Sequence, residues 1–490
     1  MERLRISKYI EVVPRTNDVA VYHKILGNLG LLDAPGIDVL QSFVRPHAPS
    51  AMKHLSDSHM KYIDELRERF FLVPETFDER AIVQEAIKYR VEQLESGYLV
   101  RGLQLILTND CNLGCTYCFE KPASSVKKSS RIIPIKSVQA DGPAEGCGSG
   151  YSSRELRKMT PDIAVAAVRN AMEVLRRNAN RVLNVEFFGG EPLMNWPAIV
   201  AVLDAFGNGD PDDVQLTYSI TTNGSLITTE IAKKLRDNGV TVMVSFDSPN
   251  NVNRLTKKGT NADHLIVRGI DILRREGAAI TFNSVVSVSN IDDFDHDGLL
   301  DAAAAYGVQT VALILDLAVK PYEDSRSVEK VRTAVLKCRK KAIELKIPLT
   351  GYWHQIFEQM TGARPLNLEK GYKTCAAEGC KISVEPDGSI SNCKCGGVPI
   401  GNIFRLDDVF KTQAYKTYAL KAYETSPQCM GCEIEGFCSG LCMGTLENTY
   451  GDVSVRVEPT CALYKGLTSS LIKTTPGEML ESVYLNHYLQ

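Results

Sequence analysis

The chain has 490 residues, 44% of them hydrophobic and 23% charged, with a formal net charge of −3, enough for two to four domains with sizeable cores. The near-balanced charge gives no reason to expect nucleic acid or an anionic membrane as partner, and no apolar run approaches membrane-span length. The first ten residues hold no signal-peptide core, so fourteen cysteines point to metal chemistry in a reducing, cytoplasmic compartment rather than to disulfides.

In chain order, Lys8–Val13 and Val19–His23 read as strands around the turn at residues 15–18, and helical stretches follow, including Ser56–Phe70. From Leu103 onward, short β-rich runs alternate with amphipathic ones. Strands are predicted at Leu103–Leu107, Val182–Phe188, Leu216–Thr221, Val240–Phe246, Ala279–Val286 and Thr310–Leu315. Helices are predicted at Thr160–Asn178, Trp196–Phe206, Thr228–Asn238, His264–Glu276 and Asp292–Tyr306. Thr160-Pro161 forms an N-cap and N1 pair, and Gly239 and Gly277 sit where helices should stop. This alternation predicts an α/β fold in which six units form a parallel barrel or partial barrel, with its site at the C-terminal ends of the strands. Between Phe119 and Met159 the pattern breaks into Ser, Gly, Pro and Lys, which predicts a long loop, either a lid or an unstructured insertion. Farther on, Lys381–Val384 and Ser389–Asn392 flank a Pro-Asp-Gly turn and predict a hairpin.

The residues with chemistry sit at the strand ends. Cys111, Cys115 and Cys118, spaced C-x3-C-x2-C, follow the first core strand. One loop can wrap three thiolates around a face of a [4Fe-4S] cubane, and with no fourth cysteine nearby one iron keeps an open coordination position. Zinc sites usually take four ligands in two short pairs, which this spacing fits poorly. Gly189-Gly190-Glu191-Pro192 ends the next strand, where two glycines let backbone approach a ligand and Glu191 adds an anion. Thr222-Asn223-Gly224 and Ser245-Phe246-Asp247 end the following two. Cys111, Gly189, Asn223 and Asp247 should therefore meet on one rim.

The cysteine triplet followed by these segments resembles the signature of the radical S-adenosylmethionine (SAM) enzymes. That resemblance implies a partial (β/α)6 TIM-like barrel, with a cluster held by Cys111, Cys115 and Cys118. It further implies SAM bound by Gly189, Gly190, Glu191, Thr222, Asn223, Ser245 and Asp247, with Tyr117 near the adenine. Family members commonly carry His-Asp and an arginine shortly after the position of Asp247, and this chain departs from that pattern. Here that stretch reads Asn253-Arg254-Leu255-Thr256-Lys257-Lys258, so Arg254, Lys257 and Arg268 are all candidates to pair with the SAM carboxylate.

The C-terminal third carries Cys375-x12-Gly388-x4-Cys393, then Cys429-x2-Cys432-x5-Cys438-x3-Cys442, then Cys461. This order resembles the SPASM domain, which implies two auxiliary [4Fe-4S] clusters and three clusters in all. Carried over, Cys375, Cys380, Cys393 and Cys442 hold one, and Cys429, Cys432, Cys438 and Cys461 the other. A zinc ribbon is the alternative for the 429–442 group. Cys338 reads as a bystander, while Cys147 and Cys395 are either inert thiols or hydrogen donors near the radical. Sulfatase-maturating relatives carry an aspartate base after the position of Cys393. Lys394 stands there and disfavours that activity, since a cationic lysine is a poor base.

The N-terminal order of hairpin then helices resembles the winged-helix-like RiPP recognition element, a structural cap on the barrel being the alternative. The expected organisation is residues 1–95 for peptide recognition, 96–355 for the radical SAM core and 356–490 for the auxiliary-cluster domain. The resemblance implies an oxidoreductase that modifies a precursor peptide or protein by thioether or carbon–carbon crosslinking or epimerisation, served by a flavodoxin- or ferredoxin-type electron donor. Radical oxidation of a small molecule or of a protein side chain, or a non-catalytic iron–sulfur role, are the alternatives.

Overall fold

The computed structural model describes residues 2–51, 57–118, 158–209, 213–249, 251–287, 290–315, 325–362, 373, 375, 377–395, 398–421 and 424–480. Cys147 and most of the predicted loop after Phe119 lie outside the described residues.

The first hundred residues contain β1 (Leu4–Ile6), β2 (Ile10–Pro14), β3 (Val19–His23), β4 (Gly27–Leu32), α1 (Ala34–Ser42), α2 (Asp57–Glu68), β5 (Leu72–Pro74) and α3 (Glu79–Gln93). The predicted hairpin is β2–β3, extended by β4 into an antiparallel meander, while β1 pairs with β5. Asp33 caps α1 by accepting from Gly36 N at 2.9 Å. Val21, Leu40, Phe43, Leu66 and Phe71 form a core separate from the main one. This unit docks on the C-terminal cysteine region, where Gly436 N donates to Lys24 O at 2.9 Å and Arg80 pairs with the buried Glu435 at 2.8 Å.

The central region runs β6 (Gly102–Ile106), α4 (Pro161–Arg177), β7 (Val182–Phe188), α5 (Trp196–Phe206), β8 (Gln215–Thr222), α6 (Thr229–Asp237), β9 (Thr241–Ser245), α7 (Asp263–Arg275), β10 (Ile280–Val286), α8 (His296–Tyr306), β11 (Val311–Leu315), α9 (Ser325–Glu344), β12 (Leu349–Thr350) and α10 (Tyr352–Met360). Strands β6 to β12 pair in chain order, every pair parallel. The six predicted strands and five predicted helices are all present, with Thr160 Oγ1 accepting from Ile163 N as the α4 cap. Leu183, Val185 and Phe187 bury one face of β7 in the main core. The alternate residues Asn184 and Glu186 face a cavity of about 700 Å³ on the inner side of β7, β8 and β9. Cys338 is buried in the core of α9, as a bystander should be.

The C-terminal part adds β13 (Lys381–Val384), β14 (Ser389–Ser391), β15 (Gly401–Asn402), α11 (Leu406–Val409), α12 (Gln413–Leu420), α13 (Met443–Tyr450) and α14 (Glu458–Thr474). The predicted hairpin is β13–β14, and β13 also pairs parallel with β6, making one ten-stranded sheet. An open barrel leaves the outer edge of β6 unpaired, and β13 covers it. Ser383 Oγ donates to Gln104 Oε1 at 2.7 Å across that junction, and Lys381 pairs with Glu186 at 2.8 Å. Among the described residues no helix is long and apolar enough to cross a membrane.

Candidate active site

The cysteine loop leaves β6 and is held from its far side by the segment after β9. Gly114 N donates to Leu255 O at 2.7 Å, Thr116 N to Asn253 O at 2.9 Å, and Leu113 bridges Thr256. Thr116 Oγ1 adds a 2.6 Å bond to Asn253 Oδ1. Beneath the loop lies an ion pair with almost no solvent access. Arg254 Nε and Nη2 donate to the two Asp247 oxygens at 3.0 and 3.1 Å, with side-chain exposures of 5% and 0%. Asp247 also accepts from Tyr117 OH, from Asn251 Nδ2 at 3.1 Å and from Val285 N at 2.9 Å, while the Arg254 guanidinium lies 5.5 Å from the Tyr117 ring centroid. Burial works against the Arg254 charge, but Asp247, Tyr117 and Cys115 outweigh it and hold its pKa above the usual value.

On the other side, the glycine segment runs backbone to backbone along the approach to Cys111. Gly190 N donates to Thr108 O and Glu191 N to Asp110 O, both at 2.8 Å. A Cβ at Gly189 would lie 2.4 Å from Thr108 O, and one at Gly190 2.2 Å from Asp110 O, so both positions need glycine. Glu191 is fully buried, and its oxygens accept from Thr222 Oγ1 at 2.7 Å, Asn223 N at 2.8 Å and Leu193 N at 3.1 Å. Desolvation pushes its pKa up to about 7 against those bonds. Its carboxylate therefore ties the end of β7 to the end of β8. Asn223 Nδ2 reaches Cys111 Sγ at 3.7 Å and Asn112 Oδ1 at 3.0 Å. The predicted meeting of Cys111, Gly189, Asn223 and Asp247 on one rim holds.

Burial, followed by the charges of Glu191, Cys115 and Cys118, pushes the Cys111 thiol up to about 11, and burial also raises Cys115. Such crowded thiols become thiolates only with a strongly cationic partner. The three thiols come from one short loop, with Cys111 in reach of the charges of Cys115 and Cys118. A cubane spreads its ligands over several irons, so these residues fit an iron–sulfur cluster better than zinc.

The three candidate cations are separated by their partners. Arg254 is committed to Asp247, Lys257 Nζ pairs with Asp110 at 2.9 Å, and Arg268 donates to Ser225 O at 3.1 Å. The spacing of the sequence did not reveal the role of Asn251–Thr256 as the clamp on the cysteine loop. Nor did it reveal that Lys394 reaches the glycine segment, its Nζ donating to Gly189 O at 2.7 Å.

In the C-terminal region, Cys375 lies in electrostatic reach of Cys393 and Cys442, and Tyr352 OH donates to its Sγ at 3.4 Å. Cys395 hydrogen-bonds to both Cys393 and Cys442, a juxtaposition that sequence spacing did not signal. Cys429, Cys432, Cys438 and Cys461 form a second neighbourhood, in which Cys438 feels Cys461 and Cys432 while Cys461 feels Cys429. Burial raises Cys438 to about 12.

Residues 105–303 match the Radical SAM superfamily. Over 476 residues, 96% of this chain and 96% of the relative, the sequence is 31% identical to the radical SAM cyclopropyl synthase TigE of Paramaledivibacter caminithermalis. The fold resembles that of anSMEcpe with bound AdoMet, with a TM-score of 0.58 at 18% identity, covering 79% of this chain and 99% of that one. It also resembles Streptococcus suis SuiB bound to precursor peptide SuiA, with a TM-score of 0.50 at 14% identity, covering 94% and 99%.

Proposed function

The chain belongs to the radical SAM superfamily, and we propose that it is a peptide-modifying member that cleaves SAM reductively and abstracts hydrogen from a ribosomally made peptide or protein. The family implies a [4Fe-4S] cluster and SAM, which together supply a 5'-deoxyadenosyl radical able to attack an unactivated C–H bond. The observation that carries the assignment is the rim, where three thiols, the Gly189–Gly190 cradle and Asn223 converge beside a buried clamp.

In this reading Cys111, Cys115 and Cys118 hold the cluster, and Gly189, Gly190, Glu191, Thr222, Asn223, Ser245, Asp247 and Tyr117 bind or support SAM. Cys375, Cys380, Cys393 and Cys442 hold one auxiliary cluster, and Cys429, Cys432, Cys438 and Cys461 the other. The substrate segment reaches the rim at the C-terminal ends of the strands, where the cysteine loop, the Gly189–Gly190 cradle and Asn223 meet. Residues 1–95 hold the leader, residues 96–355 form the catalytic core and residues 356–490 the auxiliary domain. End-to-end similarity to TigE favours carbon–carbon bond formation within a residue, closing a small ring, over a thioether or an epimer. An external flavodoxin- or ferredoxin-type protein supplies the electron.

Anaerobic reconstitution tests the reading. With SAM and reductant, the wild type should release 5'-deoxyadenosine and the Cys115→Ala variant should not; release by that variant refutes the site. With its peptide, ring closure should appear as loss of two hydrogens by mass spectrometry. Leader affinity unchanged after deletion of residues 1–95, in a chain that retains its iron, would refute the recognition role.

A further inference from the structure

SAM brings a primary ammonium group to the rim, and a lysine ammonium of this chain already reaches the cradle. Lys394 Nζ donates to the Gly189 carbonyl at 2.7 Å and lies 3.8 Å from the centroid of the Phe188 ring. Its charge also acts on the fully buried Glu191. The carbonyl, the ring face and the nearby carboxylate together form a site that accepts an ammonium group. Lys394 comes from another part of the chain, in the turn between Cys393 and Cys395, and Cys395 contacts Cys393 and Cys442. One side chain thus joins the cradle to the auxiliary cysteines. Two ammonium groups on one carbonyl repel each other.

We propose that Lys394 is a positioning residue that occupies the Gly189 carbonyl until the ammonium of SAM displaces it, so that cosubstrate docking releases the turn carrying Cys393 and Cys395. The inference rests on the SAM-binding reading above. Whatever SAM binding does to Lys394, Lys394 must do in return to SAM affinity, because linkage is reciprocal.

The test uses the anaerobically reconstituted full chain, with calorimetric titration of SAM into the wild type, Lys394→Met and Lys394→Arg. Removing the competing cation should tighten SAM binding by about fivefold or more, while Lys394→Arg, which keeps the charge, should stay near the wild type. Hydrogen exchange across residues 389–395 should rise on SAM addition in the wild type and stay unchanged in Lys394→Met. Equal or weaker SAM binding by Lys394→Met, with iron content retained, overturns the displacement and leaves Lys394 as a strut that SAM needs. Unchanged exchange in the SAM-bound wild type overturns it as well. Failure of the wild type itself to bind SAM would instead overturn the functional reading beneath it.

Discussion

The substitution Arg254→Gln tests whether the segment after β9 holds the cysteine loop. At 3.0 Å and an effective dielectric of 20, the Arg254–Asp247 attraction is about 5.5 kcal/mol, and with both side chains buried salt screens little of it. Desolvation of the two ions offsets much of that, so the pair contributes less to net stability than the Coulomb figure. Removing the cation alone is different. It leaves the Asp247 carboxylate buried against Tyr117 OH, Asn251 Nδ2 and Val285 N, and breaking one side of a buried pair typically costs about 3–5 kcal/mol. Because Asp247 also holds Tyr117, the loss passes directly to the loop carrying Cys115 and Cys118. Denaturant titration under argon should show a lower midpoint for Arg254→Gln, and iron should fall by about four per chain as the first site empties. Tyr117→Phe removes only the loop-side contact and should loosen the first cluster while the rest of the fold persists. The double variant Asp247→Leu with Arg254→Met should cost less than the sum of its single changes. If Asp247→Leu and Arg254→Met made singly add up to the cost of the double variant within about 0.5 kcal/mol, the pair is not a coupled clamp and the reasoning is refuted.

Gly190→Ala would place a Cβ 2.2 Å from Asp110 O, so SAM binding should be lost while auxiliary iron remains; calorimetry with iron analysis checks both. Fully reconstituted protein should carry about twelve irons, and Cys432→Ala should lower the count by about four without abolishing the SAM-induced spectral change of the first cluster. His23 is buried, and its Nδ1 accepts from Ile25 N and Leu26 N, so the folded chain favours the neutral ring and burial pushes its pKa down from 6.5 to about 4. Between those values the unfolded chain binds the extra proton. Stability from this group is therefore intact above about pH 6.5 and is lost as pH falls toward 4, by about 3 kcal/mol. Denaturant melts from pH 7 to 4.5 should show that slope for the wild type and a flatter one for His23→Gln.

The barrel was legible because its strands alternate with helices that carry their own caps, as at Thr160, and because runs such as Val182–Phe188 match the strand period. β4 was not, since Gly27-Asn28-Leu29-Gly30 lacks a strand's side-chain pattern and is held by pairing with β3. The hairpin at β13–β14 could be read locally, but its docking on β6 depends on an edge created by the open barrel, which no local pattern records. The same limit applies to the site. Cys111, Gly189, Asn223 and Asp247 were found because they end successive strands of one sheet. Arg254 stood out as one of three cations, yet its partner is seven residues back and buried, so the pairing depends on the turn between them. Lys394 meets Gly189 and Cys395 meets Cys442 across more than forty residues, and only the folded chain brings them together.

The rim depends chiefly on main-chain bonds. Gly190 to Thr108, Glu191 to Asp110, Gly114 to Leu255 and Thr116 to Asn253 all join backbone to backbone, so the cradle and the cysteine loop keep their shape under most side-chain changes. That separates two kinds of substitution. Adding a Cβ at Gly190 strikes the backbone frame and should abolish binding outright. Changing Lys394 or Tyr117 leaves that frame standing and should shift affinity or cluster retention by degrees. Chemistry particular to this chain is therefore to be sought in side chains that reach the frame from elsewhere, and Lys394 is the one that links it to the auxiliary cysteines.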